Sequence, residues 1–209
     1  MRFPEDIGLY FITDRNLTRK TIIDDVISAL KAGVKVIQYR EKELSTKEMY
    51  QEAKVIRELT YKNDALFIIN DRIDISLAVD ADGVHIGQED MPFEKARELL
   101  GQDKIIGLTV HNIDEAMVGE SLMADYLGVS PIFATKTKKD AGKPSGIKLI
   151  EDIKEKVNIP LVAIGGINLS NVGQILQTGV KNVAVISAIV ASDNVELECK
   201  KFIGKIDEF

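Results

Sequence analysis

The sequence predicts an α/β protein that folds as a single-domain (β/α)8 TIM barrel over residues 1–209. Eight short apolar runs, rich in β-branched residues, alternate with longer segments whose apolar residues recur with helical spacing. The apolar runs are too continuous for a sheet with one solvated face, so they fit parallel strands that are buried on both sides. Strand and helix units in unbroken succession favour a closed barrel, and no linker or change of composition divides the chain.

The first half of the chain carries four strand candidates, each an apolar run that ends in polar residues. They are Leu9–Asp14, Val34–Arg40, Ala65–Asn70 and Gly83–Gly87. Helical spacing of apolar residues predicts helices over Thr18–Ala32 and Thr46–Lys62, between the first three strands. An open doubly wound sheet is the alternative, and it would carry a glycine-rich turn after its first strand. That strand ends Ile12-Thr13-Asp14-Arg15-Asn16 without glycine, which favours the closed barrel.

The second half repeats the pattern. Its strand candidates are Lys104–Val110, Ala124–Ser130, Pro160–Ile167 and Asn182–Ile189. Its helix candidates are Phe93–Leu100, Ile113–Leu122, Ile147–Val157, Leu169–Thr178 and Val195–Ile206. The irregular stretch Phe133–Gly146 follows the sixth strand and so leaves the carboxyl face, where barrel enzymes place their active sites. It is interpreted as a functional lid, with a solvated lysine-rich turn as the alternative.

Composition narrows the functional classes. With 27 Lys and Arg against 33 Asp and Glu, the net charge is −6, which argues against general nucleic-acid binding. A phosphate-bearing ligand would therefore need a local basic cluster. Cys199 is the single cysteine and there are two histidines, so a disulfide framework is excluded and a His/Cys zinc site is disfavoured. The sequence lacks an apolar run long enough for a membrane span and lacks a signal-peptide pattern, which predicts a cytoplasmic protein without a membrane partner.

Polar residues end the second strand, where a barrel interior would otherwise prefer Val, Ile and Leu. Side chains alternate along a strand, so Gln38, Arg40 and Lys42 are expected to point together toward the barrel mouth. A guanidinium fork suits phosphate oxygens. The alternative is a structural ion pair with Asp14 or Asp71 on a neighbouring strand.

Carboxylates follow the third and fourth strands. Asp71 and Asp90 are expected to meet over the rim, because those strands are neighbours. Two carboxylates beside a basic cluster suit Mg²⁺, which retains waters and takes substrate phosphate oxygens as further ligands. Alternatively, Asp90 could cap a helix that begins at the following proline.

Small residues follow the last two strands, at the usual phosphate site of barrel enzymes. Gly165 and Gly166 end the seventh strand and Ser187 ends the eighth, so backbone N–H groups there could point at an anion. The alternative is that these residues only form two tight turns. That would explain Gly165 and Gly166 but not Ser187. The sequence thus predicts two anion sites on one face, a monophosphate site here and a diphosphate site near Arg40, Lys42, the carboxylate pair and Lys138 of the lid.

In these motifs and their order, the chain resembles the thiamine-phosphate synthase family over nearly its whole length. The motifs include Tyr10-Phe11-Ile12-Thr13-Asp14, Gln38-Tyr39-Arg40-Glu41-Lys42, Asn70-Asp71-Arg72, Gly87-Gln88-Glu89-Asp90-Met91, Thr135-Lys136-Thr137-Lys138, Gly165-Gly166 and Ser187-Ala188-Ile189. The resemblance implies a transferase that joins a hydroxymethylpyrimidine diphosphate to a thiazole monophosphate and releases pyrophosphate. Its partners would be these two small molecules and its cofactor Mg²⁺. The oligomeric state stays open, a homo-oligomer included.

The resemblance also implies residue roles. Gln38, Arg40, Lys42, Asn70 and Lys138 would bind the pyrimidine diphosphate, Asp71 and Asp90 would bind Mg²⁺, and Thr135, Thr137, Gly166, Ile186 and Ser187 would contact the thiazole phosphate. Tyr39, Glu41 and Lys136 lie in the same motifs and are included among the substrate-binding candidates, and Arg40, Lys138 and Thr109 are the catalytic candidates.

The chain departs from the family pattern at three positions. Thr109 replaces a usual serine, Ser130 a usual glycine and Ala134 a usual proline, which affects the diphosphate contact at Thr109 and the lid geometry. Because pyrophosphate can leave before the thiazole nitrogen attacks, no general base is required, and His85 and His111 are assigned binding or structural roles.

Three other functions compete with this interpretation. A thiazole tautomerase of the same superfamily would need neither Gln38, Arg40 and Lys42 nor the carboxylate pair Asp71 and Asp90, all of which are present here. A Schiff-base aldolase would need a lysine inside a strand, whereas the lysines here stand at strand starts or beyond strand ends. A sensor that binds the same phosphates without turnover is compatible with the sequence.

Overall fold

Eight parallel strands close into a barrel in the computed structural model, which describes residues 3–135, 137 and 142–209. The strands are β1 (Leu9–Ile12), β2 (Val36–Tyr39), β3 (Leu66–Asn70), β4 (Gly83–Ile86), β5 (Ile105–Val110), β6 (Tyr126–Val129), β7 (Leu161–Ile164) and β8 (Val183–Val185). Each strand pairs in parallel with the next along the chain, and β8 pairs with β1 to close the ring. The predicted fold class is therefore confirmed, and every strand lies within its predicted segment.

Helices connect the strands and cover the outside of the barrel. They are α1 (Ile22–Lys31), α2 (Thr46–Lys62), α3 (Ile73–Ala78), α4 (Phe93–Leu100), α5 (Ile113–Ser121), α6 (Gly146–Lys154), α7 (Val172–Leu176), α8 (Ser187–Val190) and α9 (Val195–Asp207). The seven predicted helices are present. In the parts of the chain that the structure describes, no helix is long and apolar enough to cross a bilayer.

Two short helices were not predicted, and one of them corrects a strand boundary. The eighth strand was expected to continue to Ile189, but it ends at Val185 and the chain turns into α8 at Ser187. Ile186 makes this turn with a ψ of −86°, outside the extended region that a strand needs. The other is α3, six residues long, which begins after Arg72 without a side-chain cap.

Apolar residues fill two layers. The larger layer lies between strands and helices, and the smaller one fills the barrel itself with ten buried residues. Alternation along β2 shows how the layers are divided, because Val36 belongs to the inner layer and Ile37 and Tyr39 to the outer one. At the amino end of the strands, the ring of Phe3 stacks on Tyr126 with centroids 4.1 Å apart and belongs to the inner layer.

Candidate active site

A cavity of about 360 Å³ opens at the carboxyl ends of the strands. Polar side chains from β2 to β5 and the loops after them dominate its wall. Among them are Gln38, Arg40, Lys42, Asn70, Asp71, His85, Gln88, Asp90, Thr109 and His111. Six of the seven residues predicted for the pyrimidine diphosphate and the metal thus share one cavity with the catalytic candidate Thr109.

The basic side chains of this cavity are held by carboxylates. Arg40 Nη1 donates to Asp14 Oδ2 at 2.9 Å, and Lys42 Nζ bonds to the carboxylate of Asp71. Both ion pairs considered as alternatives are therefore present. These ion pairs leave some N–H donors of Arg40 unused, because a guanidinium has five of them. The Arg40 side chain is 18% exposed and lines the cavity, where a ligand can reach it. Asp14 orients the guanidinium and leaves donors for a ligand.

Asp71 and Asp90 meet as the strand order predicts. The Asp90 carboxyl lies close enough to Asp71 for the two charges to interact, and its Oδ2 accepts the Gly87 N–H at 2.7 Å. Burial raises the pKa of Asp71, and the charge of Asp90 acts in the same direction while Lys42 opposes it. Asp71 has a φ of +59°, a left-handed conformation that Asp tolerates better than most residues. The turn thus aims its carboxyl at the rim.

The donor set fits Mg²⁺ better than a metal enclosed by protein ligands. Within the described residues, no group of three or more His, Cys, Asp and Glu side chains is arranged to hold a metal. Two carboxylates leave the other ligand positions for phosphate oxygens and water, which is the coordination that Mg²⁺ favours.

The floor of the cavity is polar as well. Thr109 is 8% exposed, its Oγ1 lies 2.8 Å from His85 Nε2, and Gln88 Nε2 donates to its carbonyl oxygen at 2.7 Å. At the mouth, His111 Nδ1 lies 2.9 Å from Glu115 Oε2. Both histidines therefore line the cavity, and each is held by a named neighbour.

A second cavity of about 80 Å³ adjoins the first between the loops after β6, β7 and β8. It collects the residues predicted for the thiazole phosphate, namely Thr135, Thr137, Gly166, Ile186 and Ser187. Gly166 has a φ of +65°, and a Cβ atom there would lie 2.5 Å from the carbonyl oxygen of Ala134. Only glycine lets the turn after β7 approach the loop after β6 this closely.

Four residues line both cavities: Arg40, Ser130, Ile164 and Ile186. The two cavities are therefore compartments of one site, and Arg40 is the charged residue on the wall between them. Ser130 presents a side chain at this boundary. Its position next to a cavity was not predicted from the sequence.

Some predicted site residues lie elsewhere. Tyr39 points to the outer side of the barrel, where its hydroxyl donates to Glu52 on α2 at 2.7 Å. Glu41 accepts N–H bonds from the backbone of the loop that follows it and pairs with Arg15 at 2.5 Å. Strand alternation turns both away from Gln38 and Arg40. Lys136 and Lys138 lie outside the described residues.

Comparison with known proteins gives a consistent picture. The family model described as thiamine monophosphate synthase matches residues 9–189. Thiamine-phosphate synthases from Methanosarcina barkeri and Archaeoglobus fulgidus are both 50% identical to this chain; the first match covers 97% of this chain and 91% of the relative, and the second 100% and 97%. The solved thiamine phosphate pyrophosphorylase from Pyrococcus furiosus superposes with a TM-score of 0.90 at 43% identity, covering 98% of this chain and 97% of that one.

Proposed function

This chain belongs to the thiamine monophosphate synthase family, and we infer from that membership that it is the transferase which makes thiamine monophosphate. The substrates are 4-amino-2-methyl-5-hydroxymethylpyrimidine diphosphate and 4-methyl-5-(2-phosphooxyethyl)thiazole, and pyrophosphate is the second product. The observation that carries the assignment is the pair of adjoining cavities that share Arg40. Each of the two substrates carries a phosphate group and needs its own anion site. The two sites must lie close enough together for a bond to form between the bound substrates.

The larger compartment suits the pyrimidine diphosphate. Arg40 and Lys42 supply positive charge for the diphosphate, and Gln38 and Asn70 supply amide groups for hydrogen bonds. The smaller compartment suits the thiazole phosphate, whose anion would lie among Thr135, Thr137, Gly166 and Ser187. Hydroxyls and backbone N–H groups are the donors that phosphate oxygens accept from in such loops.

The proposed mechanism starts with departure of the leaving group. The carbon–oxygen bond to pyrophosphate breaks first, because the aminopyrimidine ring can share the positive charge that develops on its methylene carbon. The thiazole nitrogen then supplies the electron pair for the new carbon–nitrogen bond. Arg40, Lys42 and Thr109 face the negative charge that develops on pyrophosphate, which is electrostatic stabilisation by preorganised groups. From the resemblance, Lys138 is proposed to assist them.

Asp71 and Asp90 are proposed to hold Mg²⁺ beside the diphosphate. When bound, the ion would neutralise charge on the diphosphate and so favour its departure. In the structure Lys42 pairs with Asp71, so the lysine is placed to exchange a carboxylate partner for a phosphate partner when substrate arrives.

The decisive test is incubation of the purified protein with both substrates and Mg²⁺. We expect stoichiometric thiamine monophosphate and pyrophosphate, and loss of turnover in Arg40→Gln. Arg19→Gln is the matched control, because Arg19 is an exposed arginine paired with Asp193 outside both cavities. Isomerisation of the thiazole without coupling would indicate a tautomerase, and tight binding without any conversion would indicate a sensor.

A further inference from the structure

Beneath the larger cavity, a continuous chain of side-chain hydrogen bonds crosses the interior of the barrel. Gln38 Nε2 donates to Tyr10 Oη at 2.9 Å, and Tyr10 Oη lies 2.9 Å from Tyr126 Oη. Tyr126 Oη lies 2.9 Å from His85 Nδ1, and His85 Nε2 lies 2.8 Å from Thr109 Oγ1. The chain begins and ends at residues that line the cavity, but its two tyrosines do not line it.

The two tyrosines are sealed from solvent. Both are 0% exposed, and they are packed among the apolar residues that fill the barrel. Burial raises the pKa of both hydroxyls, so each keeps its proton at neutral pH. A buried hydroxyl needs its hydrogen bonds, since an unsatisfied one costs about 1–3 kcal/mol.

A glycine in β5 leaves space for the Tyr126 ring. Gly107 pairs with Tyr126 across β5 and β6, and a Cβ atom on Gly107 would lie 2.1 Å from the Tyr126 Cζ atom. A strand glycine is otherwise unfavourable, so its presence here fits close approach of the ring. Phe3 stacks on the same ring. Tyr126 is therefore in close contact with both Gly107 and Phe3.

One direction of these bonds gives every proton in the network an acceptor. The Gln38 amide group donates to the Tyr10 oxygen, which leaves Tyr126 as the partner that can accept the Tyr10 proton. In this direction the Tyr126 hydroxyl donates to His85 Nδ1. A neutral His85 then carries its proton on Nε2 and donates it to Thr109 Oγ1. The Thr109 hydroxyl proton is thereby directed away from His85.

We propose that Tyr126 is a positioning residue for the reaction: acting through His85, it fixes the Nε2–H tautomer and so makes the Thr109 hydroxyl a donor toward the cavity. The proposal rests on the proposed function, in which the pyrimidine diphosphate occupies that cavity. At Gln38 the amide group is the donor to Tyr10, so the amide oxygen is left to accept a hydrogen bond from a ligand in the cavity.

The first experiment reads the tautomer without any substrate. Long-range ¹H–¹⁵N spectra distinguish protonated from unprotonated imidazole nitrogens, and the chain has two histidines, so His111→Gln identifies the His85 signals. We expect Nε2–H in the wild-type protein and a tautomer mixture in Tyr126→Phe. A wild-type His85 with its proton on Nδ1 would overturn the proposal even if no variant folded.

The second experiment is a double-mutant cycle on kcat/KM for the pyrimidine diphosphate. Tyr126→Phe and Thr109→Val should each lower it roughly tenfold, mainly through kcat, since one directed hydrogen bond to an anion is lost in both. In the Thr109→Val background, Tyr126→Phe should change it less than about twofold, because the donor is already absent. Thr109→Ser should keep most of the wild-type kcat/KM, because serine retains the hydroxyl.

The control is Thr60→Val, which removes another fully buried hydroxyl, hydrogen-bonded to the Arg57 carbonyl at 3.0 Å outside the barrel interior. It should leave kcat/KM unchanged. Multiplicative effects of Tyr126→Phe and Thr109→Val, or wild-type kinetics in Tyr126→Phe, would overturn the positioning role. If the wild-type protein made no thiamine monophosphate, the proposed function would fail, while the tautomer measurement would still decide whether the chain of bonds has this direction.

Discussion

At the scale of single residues, the rim of the larger cavity concentrates opposed charges. Asp71 and Asp90 lie close enough for their charges to interact, and Lys42 bonds to Asp71. Two adjacent carboxylates repel unless a cation or a proton lies between them. The pair is thus unfavourable by itself and is suited to binding a divalent ion together with an anionic substrate.

Replacing either carboxylate should therefore weaken the response to Mg²⁺. Asp71→Asn and Asp90→Asn should each raise the half-saturating Mg²⁺ concentration by about tenfold to 100-fold, because a ligand charge is lost. Asn suits position 71, since it tolerates the same positive φ. The measurement is activity against Mg²⁺ concentration at several pH values.

Glu89→Gln serves as the control for these variants. Glu89 lines the same cavity and is adjacent to Asp90, but it is not assigned to the metal. The activity of this variant should depend on Mg²⁺ concentration in the same way as that of the wild type. Unaltered curves in both Asn variants, or a changed pH profile at constant metal demand, would refute the metal role and favour acid–base chemistry.

At the scale of elements, the turn after β7 joins two loops of the smaller cavity. Gly166 approaches Ala134 so closely that a side chain would displace the loop that carries Thr135 and Thr137. Position 166 therefore links a backbone conformation to the geometry of the proposed phosphate site.

Gly166→Ala should raise the KM for the thiazole phosphate at least about tenfold, since both the positive φ and the close contact oppose a Cβ atom. Gly173→Ala is the matched control. Gly173 lies in α7 with nothing within 4 Å of an added Cβ, so this variant should keep its KM and gain about 0.5–1 kcal/mol of stability. Equal KM values in the two variants would contradict the assigned role of the turn.

Helix α1 contains a carboxylate in its buried face. Asp25 is 2% exposed, and within the described part of the chain its Oδ2 atom has no hydrogen-bond partner. Burial raises its pKa, although the Thr18 side chain partly opposes this through a hydrogen bond. Above the raised folded-state pKa, the native protein must keep a charge that the unfolded chain hydrates freely. This penalty is relieved as the pH falls through that pKa.

Asp25→Asn should consequently raise the free energy of unfolding at pH 8 by on the order of 1 kcal/mol. The gain should shrink as the pH is lowered toward 4, because the wild-type carboxyl then takes up a proton in the folded state. Urea denaturation of both proteins at several pH values measures this difference. A gain that grew on acidification would contradict the assignment.

The elements also show what the sequence could predict. Strand positions followed from apolar runs, and the polar ends of β2, β3 and β4 gave most of the larger cavity, because parallel strands bring their carboxyl ends together. Helix α3 was missed because six residues show too little periodicity, and the end of β8 was misplaced because Ser187-Ala188-Ile189 suits a strand as well as a helix. The interior tyrosine network depends on contacts between distant strands, although the mid-strand glycine Gly107 was a readable signal of close approach.

At the scale of the whole molecule, the two compartments are arranged around Arg40. A structure with pyrophosphate and a thiazole phosphate analogue should show pyrophosphate near Arg40 and Lys42, and the monophosphate near Gly166 and Ser187. The expectation follows from the different donors of the two walls, charged side chains in one and hydroxyls and glycine turns in the other. Both anions in a single compartment would contradict the two-substrate arrangement.

Phe3 stacks on Tyr126 at the amino end of the strands, and both rings belong to the apolar layer that fills the barrel. The interior of the barrel is thus a packed core and not a channel between its two ends. Both compartments of the site lie at the carboxyl ends of the strands, so substrates enter and products leave on that one face.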